Sequence, residues 1–393
     1  MNINILMYIK QMNIYRIHDK IYDLTDFISK HPGGTDMFTP REGILDITPL
    51  IYSYHKDPNI LFEILPKYEI VSDNAIVKYG TDYKYDKYLE LKKLVYDEIH
   101  DKQLPLYWSN RETAYNIGMF ILYVRIWIYC SSLETVNVLW FVLLAIFNIG
   151  HCALIFHETS HYTGFKNQRL NTIVSNIAVA PILTNAEWKW DHNYLHHCFT
   201  NTELDNDFVG HSQLFRHSAE QPHLWQHQLQ HIYASVLFCL GGFSGQIDSI
   251  KHERWNFMLF LMILYWFGMT NTFMFYGLTG FLFLSIAQLS HIQQECVTKE
   301  KTDDFLTNQV SSSMNFKTDN PVIRFICFGL DIQIEHHLFP NIPHSTLRLI
   351  QPIVREYCDK NGVAYIEKPD VLSMAKSYLH HLRKMGKRPN VNI

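Results

Sequence analysis

Charged residues are scarce in this sequence of 393 residues, at 18%, whereas an average soluble domain has about 25%. Hydrophobic residues make up 47% and aromatic residues 14% of the chain, yet its mean hydropathy is only −0.10. A chain that was wholly soluble or wholly embedded in a bilayer would fit these values poorly. The composition therefore predicts a soluble part joined to a membrane part.

Paired cysteines, a basic net charge and a signal-like start are also missing. The seven cysteines are scattered without a C-x-x-C pair, which argues against a thiolate zinc site or a disulfide framework and fits a reducing compartment. The net charge of −4 gives no support for nucleic-acid binding. The first residues, MNINILMYIKQMN, contain no sustained apolar run of the kind found in a cleaved signal peptide.

Long apolar runs occur only after residue 113. Residues 136–156 are long enough to cross a bilayer, which requires about 20 residues. Residues 114–130 are a weaker candidate because Arg125 interrupts them, although a charge near a helix end can reach the membrane interface. We predict that both segments span a membrane.

Three further apolar segments require different interpretations. The apolar segment at residues 257–288 is too long to form one span, and Asn271 and Gly277 interrupt it. We therefore predict that it forms a helical hairpin. Residues 172–183 and 232–247 are apolar but shorter. Segments of that length are more often interfacial or buried than spanning.

Lys and Arg are absent from the two turns that the predicted hairpins would make, at residues 131–135 and 271–276. They are frequent before residue 113, between residues 157 and 255, and after residue 291. Loops that are rich in Lys and Arg face the cytoplasm. The pattern therefore predicts two hairpins, which make four transmembrane helices, with both termini on the cytoplasmic side.

Histidine is unusually common, with 22 residues against 17 glycines. Three clusters stand out, namely HETSH at 157–161, HNYLHH at 192–197 and QIEHH at 333–337, and His291 follows the last predicted span. The four-span arrangement brings all of them to the cytoplasmic face, provided that the two short apolar segments do not each cross. The first cluster alone has the H-E-x-x-H spacing of a zinc metalloprotease, in which Glu158 would be the general base.

The number of histidines favours a different kind of metal site. A catalytic zinc needs three protein ligands, whereas at least eight histidines come together here from four parts of the chain. Neighbouring residues on a helix point about 100° apart, so adjacent pairs such as His336 and His337 more naturally bind two metals than one. A nitrogen-rich dinuclear site that activates oxygen indicates iron as the natural metal.

The three clusters, set against four spans, resemble those of the membrane fatty acid desaturase family. The phrase GLDIQIEHHLFPNIPH, residues 329–344, resembles the C-terminal signature of its front-end members, in which Gln usually opens the third cluster. Members of this family bind two irons and use O₂ to remove two hydrogens from an acyl chain. The resemblance implies catalytic iron ligands at His157, His161, His192, His196, His197, His336 and His337. It also implies that His291 is a further iron ligand, and that Gln333 is a catalytic residue, either as a ligand or as a hydrogen-bond donor beside one.

One position departs from the family pattern. Asp usually follows the first histidine of the first cluster, and Glu158, one methylene longer, takes its place here. We expect Glu158 to orient a ligating imidazole. On that basis Glu158→Asp is expected to keep much of the activity, whereas His157→Ala or His161→Ala is expected to lose it.

The N-terminal part resembles cytochrome b5. The resemblance rests on YDLTDFISKHPGG, residues 22–34, and on Tyr54-His55-Lys56. It implies that His31 and His55 are the two axial ligands of a haem b. Gly33 and Gly34 would let the backbone turn tightly beside the haem ligand.

These observations together predict a mainly α fold. A small α+β cytochrome b5-like haem domain, residues 1–72, is followed by a linker with a surface helix, residues 73–112. Residues 113–393 form the membrane fatty acid desaturase domain, in which a cytoplasmic cap rich in histidine covers four transmembrane helices.

The function expected from the resemblance is O₂-dependent desaturation of a fatty acyl chain, bound as acyl-CoA or within a phospholipid, to give a cis double bond. Electrons would pass from an NAD(P)H-dependent cytochrome b5 reductase through the haem to two iron ions, at a membrane of the endoplasmic-reticulum type. A sphingolipid desaturase or lipid hydroxylase shares these features. Two further functions are compatible with single parts of the sequence, namely a membrane zinc metalloprotease using HETSH and a haem electron carrier with an inactive membrane domain.

Overall fold

The computed structural model describes residues 13–38, 43–71, 77–133, 136–179, 185–252, 254–297 and 302–388. The chain is mainly helical, and a small β-sheet lies at its N-terminal end. This confirms the predicted class of a helical protein preceded by a small α+β unit.

The N-terminal sheet has five short strands. In their order across the sheet these are Glu69–Ile70, Lys20–Asp23, Ile14–Ile17, Ile44–Asp46 and Val77–Tyr79. The central strand Ile14–Ile17 is antiparallel to Lys20–Asp23 and parallel to Ile44–Asp46. Three short α-helices, Thr25–Ile28, Thr48–Tyr54 and Asn59–Ile64, and a 3₁₀ turn at Leu65–Tyr68 complete the unit.

The segment that the sequence assigns to a linker contains ordered elements. Strand Val77–Tyr79 pairs with Ile44–Asp46 and so extends the N-terminal sheet past residue 72. Helix Asp86–Asp101 lies at the surface with one side exposed, and its apolar side is buried against helix His344–Lys360 in one shared hydrophobic cluster. Its Tyr88 hydroxyl donates to the carbonyl of Leu338, 2.8 Å away, which ties this helix to the C-terminal part of the chain.

The first apolar pair of helices begins with Asn110–Ser131. A capping box sets its start, since the Ser109 hydroxyl accepts from the Glu112 N–H and the Glu112 carboxylate accepts from the Ser109 N–H. The second helix runs as Val138–Phe147, a π-helical stretch Asn148–Ala153, and Leu154–Ser160. At 1.5 Å per residue its 23 residues extend about 35 Å, enough to cross a bilayer.

The second apolar pair is contained in Arg254–Leu289, which reverses direction at Gly268. Gly268 has φ 74° and ψ 171°, a backbone conformation that glycine adopts without steric cost. The rings of Phe260 and Tyr276 lie 5.2 Å apart. In a straight helix these two residues, sixteen positions apart, would be separated by about 24 Å. The predicted hairpin is therefore present, but its turn lies at Gly268 and not at Asn271 or Gly277.

Within the described residues, two helices pass the length and composition required of a membrane span, Val138–Ser160 and Asn256–Leu289. Residues 172–179 and 232–247 lie in helices Gln168–Val179 and Gln230–His252, and residues 180–183 fall outside the described part of the chain. Both helices turn apolar side chains outward, among them Ile173, Ile177, Ile232 and Val236. An outward apolar stripe of this kind marks a surface for contact with lipid or with another protein.

The remaining elements form a compact layer at one end of the apolar helices. The helices are Asn185–Trp188, Lys189–His196 (π), His197–Phe199, Asn206–Val209, Trp225–Leu229 (3₁₀), Gln294–Val297, Phe305–Ser311, Pro321–Ile326, Leu330–Ile332 (3₁₀), Gln333–Leu338, His344–Lys360 and Val371–Met385. A two-stranded parallel ladder joins Asn315–Phe316 to Glu367–Lys368. This layer carries most of the histidines of the three clusters.

Candidate metal centre and haem site

The eight histidines predicted as metal ligands lie together and are all buried. His157 and His161 end the helix Leu154–Ser160, and His291 follows the end of the last apolar helix. The other five come from the π-helix Lys189–His196, the turn after it and the helix Gln333–Leu338. The fold thus brings together side chains that are far apart in the sequence.

The ring nitrogens form two groups. One consists of His157, His161, His192 and His336, and the other of His196, His291 and His337; within each group the potential ligand atoms lie within 4.8 Å of one another. The ring of His197 lies between the two, because its Nε2 is 3.3 Å from that of His192 and its ring stacks on His337 at 4.4 Å. The adjacent residues His336 and His337 belong to different groups, which agrees with the expectation that neighbours bind two metals.

The Nδ1 atoms of four histidines are held by partners outside the two groups. His291 Nδ1 donates to the Ser312 carbonyl at 2.9 Å, His196 Nδ1 to Asp205 at 3.0 Å, and His337 Nδ1 to the Gln309 side-chain oxygen at 3.0 Å. His161 Nδ1 lies 2.6 Å from the Tyr54 hydroxyl. Bonds of this type fix the tautomer and leave Nε2 for a metal.

The arrangement fits metal ions better than direct hydrogen bonds. Four Nε2 pairs face each other at 3.1 to 3.3 Å: His157 with His192, His192 with His197, His337 with His291, and His196 with His291. In the second group the proton of each ring is on Nδ1, so the facing Nε2 atoms are both hydrogen-bond acceptors. Two acceptors repel each other at this distance unless a cation lies between them. Among the described residues, His161 Nε2 and both nitrogens of His336 are buried without a hydrogen-bond partner. These nitrogens are available to bind a metal.

Electrostatics distinguish His196 from the other histidines. Burial lowers its pKa, but the Asp205 and Asp207 carboxylates outweigh that effect, and the pKa of His196 is raised. For His192, His197, His336 and His337, burial and then neighbouring imidazoles hold the pKa far below its usual value. A neutral imidazole is the form that binds a metal.

Gln333 reaches the second group. Its side-chain nitrogen lies 3.0 Å from His291 Nε2, and its side-chain oxygen is buried without a partner within the described part of the chain. A rotation of the amide by 180° would direct the oxygen to the position that the nitrogen holds. Both roles expected from the sequence, ligand or donor, are compatible with this position.

Glu158 does not contact a predicted iron ligand. One carboxylate oxygen accepts from the backbone N–H of His344 at 2.8 Å and from its Nδ1 at 3.0 Å, and the other accepts from Trp108 Nε1 at 2.5 Å. The His344 ring lies 5.4 Å from that of His157 and 5.3 Å from that of His336. The expectation that Glu158 orients a ligating imidazole is therefore replaced by a role in fixing His344, which packs beside two of the predicted ligands.

We expect Glu158→Asp to lower stability more than activity. An aspartate cannot reach both Trp108 and His344, and an unsatisfied buried donor costs about 1–3 kcal/mol. The metal groups themselves do not contact this carboxylate, so iron content is expected to stay unchanged. Thermal unfolding and metal analysis test this, with the exposed Glu203→Asp as control. An inactive Glu158→Asp protein that held zinc would contradict it.

A cavity of about 330 Å³ opens onto both metal groups. Its metal-facing wall includes His157, His192, His196, His291 and Gln333. The remainder has two parts. One is apolar, namely Phe283, Leu284, Ala287, Ile292, Phe328 and Leu330, and the other is polar, with Glu187, Asp191, Asn201, Asp205, Asp207, His211, Ser244 and Gln288. A hydrocarbon chain can pack against the apolar part of this wall.

In the N-terminal unit, the rings of His31 and His55 face each other with centroids 6.0 Å apart. Two imidazoles that bind one iron from opposite sides, each at about 2 Å, have centroids about 6 Å apart. Their Nδ1 atoms are held by the carbonyls of Gly34 at 2.9 Å and Ile51 at 3.2 Å. Burial lowers the pKa of His55 to about 4, so this imidazole is neutral at physiological pH.

Gly33 and Gly34 occupy positions in the loop after His31 where a larger residue would clash or be strained. A Cβ atom on Gly33 would lie 2.8 Å from the His31 ring, and Gly34 has φ +84°. The rings of Phe27 and Phe38 pack on His31 at 5.8 and 5.1 Å. These contacts fix the position of the His31 ring within the loop.

Sequence patterns did not indicate several residues that support the site. These are Trp108, Asp205, Gln309 and Ser312. Asp205 and Gln309 each orient a histidine but belong to no cluster. Tyr54 and His344 lie inside the motifs that carry the two resemblances, but no role was predicted for either.

The structure has two neighbouring histidines in the N-terminal unit and, at the end of the apolar helices, two groups of buried histidines. This combination is typical of a membrane protein that uses metals for redox chemistry. Comparison with known proteins agrees: residues 135–369 match the family model for fatty acid desaturase, and residues 9–97 match that for the cytochrome b5-like haem/steroid binding domain. The chain belongs to the fatty acid desaturase family and carries a fused cytochrome b5 domain. The family is membrane-bound, the first match implies iron and a fatty acyl substrate, and the second implies haem and electron transfer.

Several relatives match almost the whole chain. Acyl-lipid (8-3)-desaturase B of Dictyostelium discoideum is 24% identical over 95% of this chain and 91% of its own length. Acyl-lipid (8-3)-desaturase of Physcomitrium patens is 26% identical over 94% and 87%, and Delta(5) fatty acid desaturase A of Dictyostelium discoideum is 24% identical over 95% and 90%. No solved structure matches the chain.

Proposed function

We propose that the protein is a front-end desaturase that introduces a cis double bond into the acyl chain of a phospholipid or an acyl-CoA, with a di-iron centre reduced through its own cytochrome b5 domain. The observation that carries this proposal is the cavity that is bordered on one part of its wall by members of both histidine groups and on another by a stretch of apolar side chains. The names of the relatives, acyl-lipid (8-3)-desaturase and Delta(5) fatty acid desaturase, support the substrate class and the front-end position.

The proposed iron ligands are the eight histidines, with His157, His161, His192 and His336 at one ion, His196, His291 and His337 at the other, and His197 between them. When bound, the two irons supply the O₂-dependent removal of two hydrogens from adjacent methylenes. The chain's own contribution is position: Phe283, Leu284 and Phe328 hold the acyl chain against the histidine wall and exclude water.

Asp205, Gln309 and Ser312 keep three of the ligand imidazoles in the tautomer that presents Nε2. Gln333 lies between the cavity and His291 and is proposed to act as a ligand or a donor beside one.

The proposed membrane arrangement has four spans, formed by Asn110–Ser131, Val138–Ser160 and the two halves of Arg254–Leu289. His157 and His291 then lie at the same membrane face, as do the N-terminal unit and the C-terminal helix. The distribution of Lys and Arg supports a cytoplasmic location for that face. We propose an endoplasmic-reticulum type of membrane, where an NAD(P)H-dependent cytochrome b5 reductase would supply electrons to the haem b held by His31 and His55.

The proposed domain division places the haem unit at residues 1–72, a linker at 73–112 and the desaturase domain at 113–393. Strand Val77–Tyr79 and helix Asp86–Asp101 make the linker an ordered connection. Because helix Asp86–Asp101 packs on His344–Lys360, this connection is part of the body of the enzyme.

The function is tested by expressing the protein in yeast with supplied polyunsaturated acids and profiling total fatty acids. A new cis double bond on the carboxyl side of an existing one is the expected product. The same extracts are profiled for sphingoid bases and hydroxy acids, which would appear with a sphingolipid desaturase or a hydroxylase. Folded protein that holds haem and iron but gives no new double bond would refute the proposal.

Filling the cavity is expected to block the substrate without disturbing the metal. Ala287 lines the cavity next to His291 and Gln288, and a tryptophan there would occupy the space of the acyl chain. We expect Ala287→Trp to reduce product about tenfold or more, since apolar pockets discriminate about 10-fold or more by a single methylene. The fatty acid profile and iron content are measured together.

Met269→Trp is the matched control, because Met269 is on the same hairpin but is exposed. An equal loss in both variants, or loss of iron from Ala287→Trp, would contradict the assignment of the cavity to the substrate.

A further inference from the structure

The side chain of Tyr54, in the N-terminal unit, contacts the metal centre. Its hydroxyl lies 2.6 Å from His161 Nδ1, and its ring stacks on that imidazole at a centroid distance of 6.2 Å and an angle of 20°. Tyr54 directly precedes His55, one of the two histidines of the haem pocket. One residue therefore contacts a proposed iron ligand and is covalently joined to a proposed haem ligand.

The loop that carries Tyr54 is fixed from both sides. Asn341, four residues after His337, donates to the Tyr54 carbonyl at 2.9 Å. Lys92 donates to the carbonyls of Tyr52 and His55. These bonds join the haem-binding segment to the linker helix and to the C-terminal cluster, so the contact between Tyr54 and His161 is part of a built interface.

We propose that Tyr54 is the positioning residue through which one electron passes from the haem ligand His55 to the iron ligand His161. This inference rests on the proposed function. With a haem held by His31 and His55 and a metal at His161, the transfer would oxidise the haem by one electron and reduce the metal by one. No covalent bond forms or breaks, and the hydrogen bond between the phenol and the imidazole keeps its proton. The route consists of the peptide unit between residues 54 and 55, the tyrosine side chain and one hydrogen bond.

The test compares Tyr54→Phe with Tyr52→Phe in the full-length, haem- and iron-loaded protein. Both variants lose one hydroxyl in the same helix, but Tyr52 bonds His18 at 3.1 Å and does not contact the metal centre. Haem and iron content, the haem spectrum and the protease resistance of the junction are measured first. The haem is then reduced, and its reoxidation with O₂ and acyl substrate is followed by stopped-flow absorbance.

We expect haem reoxidation in Tyr54→Phe to be slower by about 10–100-fold, the usual cost of removing a hydrogen-bond partner of a metal ligand, with haem content, iron content and protease resistance unchanged. Tyr52→Phe is expected to match the wild type. Reoxidation of Tyr54→Phe within twofold of the wild type, an equal slowing in Tyr52→Phe, or loss of haem, iron or docking from Tyr54→Phe would each overturn the inference.

A wild-type protein whose haem is reoxidised no faster than in its iron-free form would instead count against the proposed function, so the two failures are distinguishable.

Discussion

Replacement of His291 by alanine is expected to abolish desaturation and to remove iron from the second histidine group. His291 Nε2 is within 3.3 Å of ring nitrogens on both His196 and His337, and it faces the Gln333 amide at 3.0 Å. Without it only two imidazoles of that group remain. We expect product to fall by more than about 100-fold, because loss of a mere hydrogen-bond partner of a ligand already costs about 10–100-fold.

The measurement for His291→Ala is the yeast fatty acid profile together with the iron content of the purified protein. His380→Ala, on the exposed side of the C-terminal helix, controls for loss of a histidine as such. Full activity with two irons in His291→Ala would show that His291 is not a ligand and would break the proposed second group.

His55→Ala is expected to remove the haem and, with it, the electron supply. The 6.0 Å separation of the His31 and His55 rings fits one iron between them, and alanine leaves a single ligand on one side. Desaturation in cells is expected to fall to the level of His291→Ala, whereas the iron content of the desaturase part stays at its wild-type value because the eight histidines are untouched.

The absorbance of the purified protein measures the haem directly, and Lys56→Ala, an exposed neighbour, is the control. An intact bis-histidine spectrum in His55→Ala would refute the assignment. Activity that persists without the haem would show that electrons reach the metal centre by a route that bypasses the fused domain.

Sequence spacing was enough to predict the parts of the site that depend on local geometry. The i, i+4 pair His157 and His161 lies on one face of a helix, and a single hydrophobic run positions it at a helix end. The same holds for His31 with its two glycines. In both cases the residues belong to a single helix or a single turn, so their spacing in the sequence determines their relative positions.

Contacts between distant segments could not be predicted in this way. Tyr54 and His161 are 107 residues apart in the sequence, and Glu158 and His344 are 186 apart. Nothing in the composition around Gln309 or Asp205 marks them as partners of histidine. Their positions follow from how the C-terminal helices pack on the apolar pairs, which is a property of the whole fold.

The turn of the second hairpin illustrates a different limit. Asn271, Gly277 and Gly268 all disrupt an apolar helix, and residue type alone does not distinguish them. The choice of Gly268 is decided by packing, because the contact of Phe260 with Tyr276 requires the two halves to have particular lengths. Residue types that disrupt a helix predict that a hairpin is present, but the position of its turn depends on how the two helices pack in the tertiary structure.

Each histidine group takes its members from three separate stretches between His157 and His337. The first group needs the first apolar pair and the second group needs the second pair, and both need the C-terminal layer. Iron bound there would be thermodynamically linked to completion of the tertiary structure, since a metal that binds only the folded chain adds its binding free energy to the stability of that chain. Iron supply would therefore govern how much of this enzyme survives quality control in the cell, as well as how fast each molecule turns over.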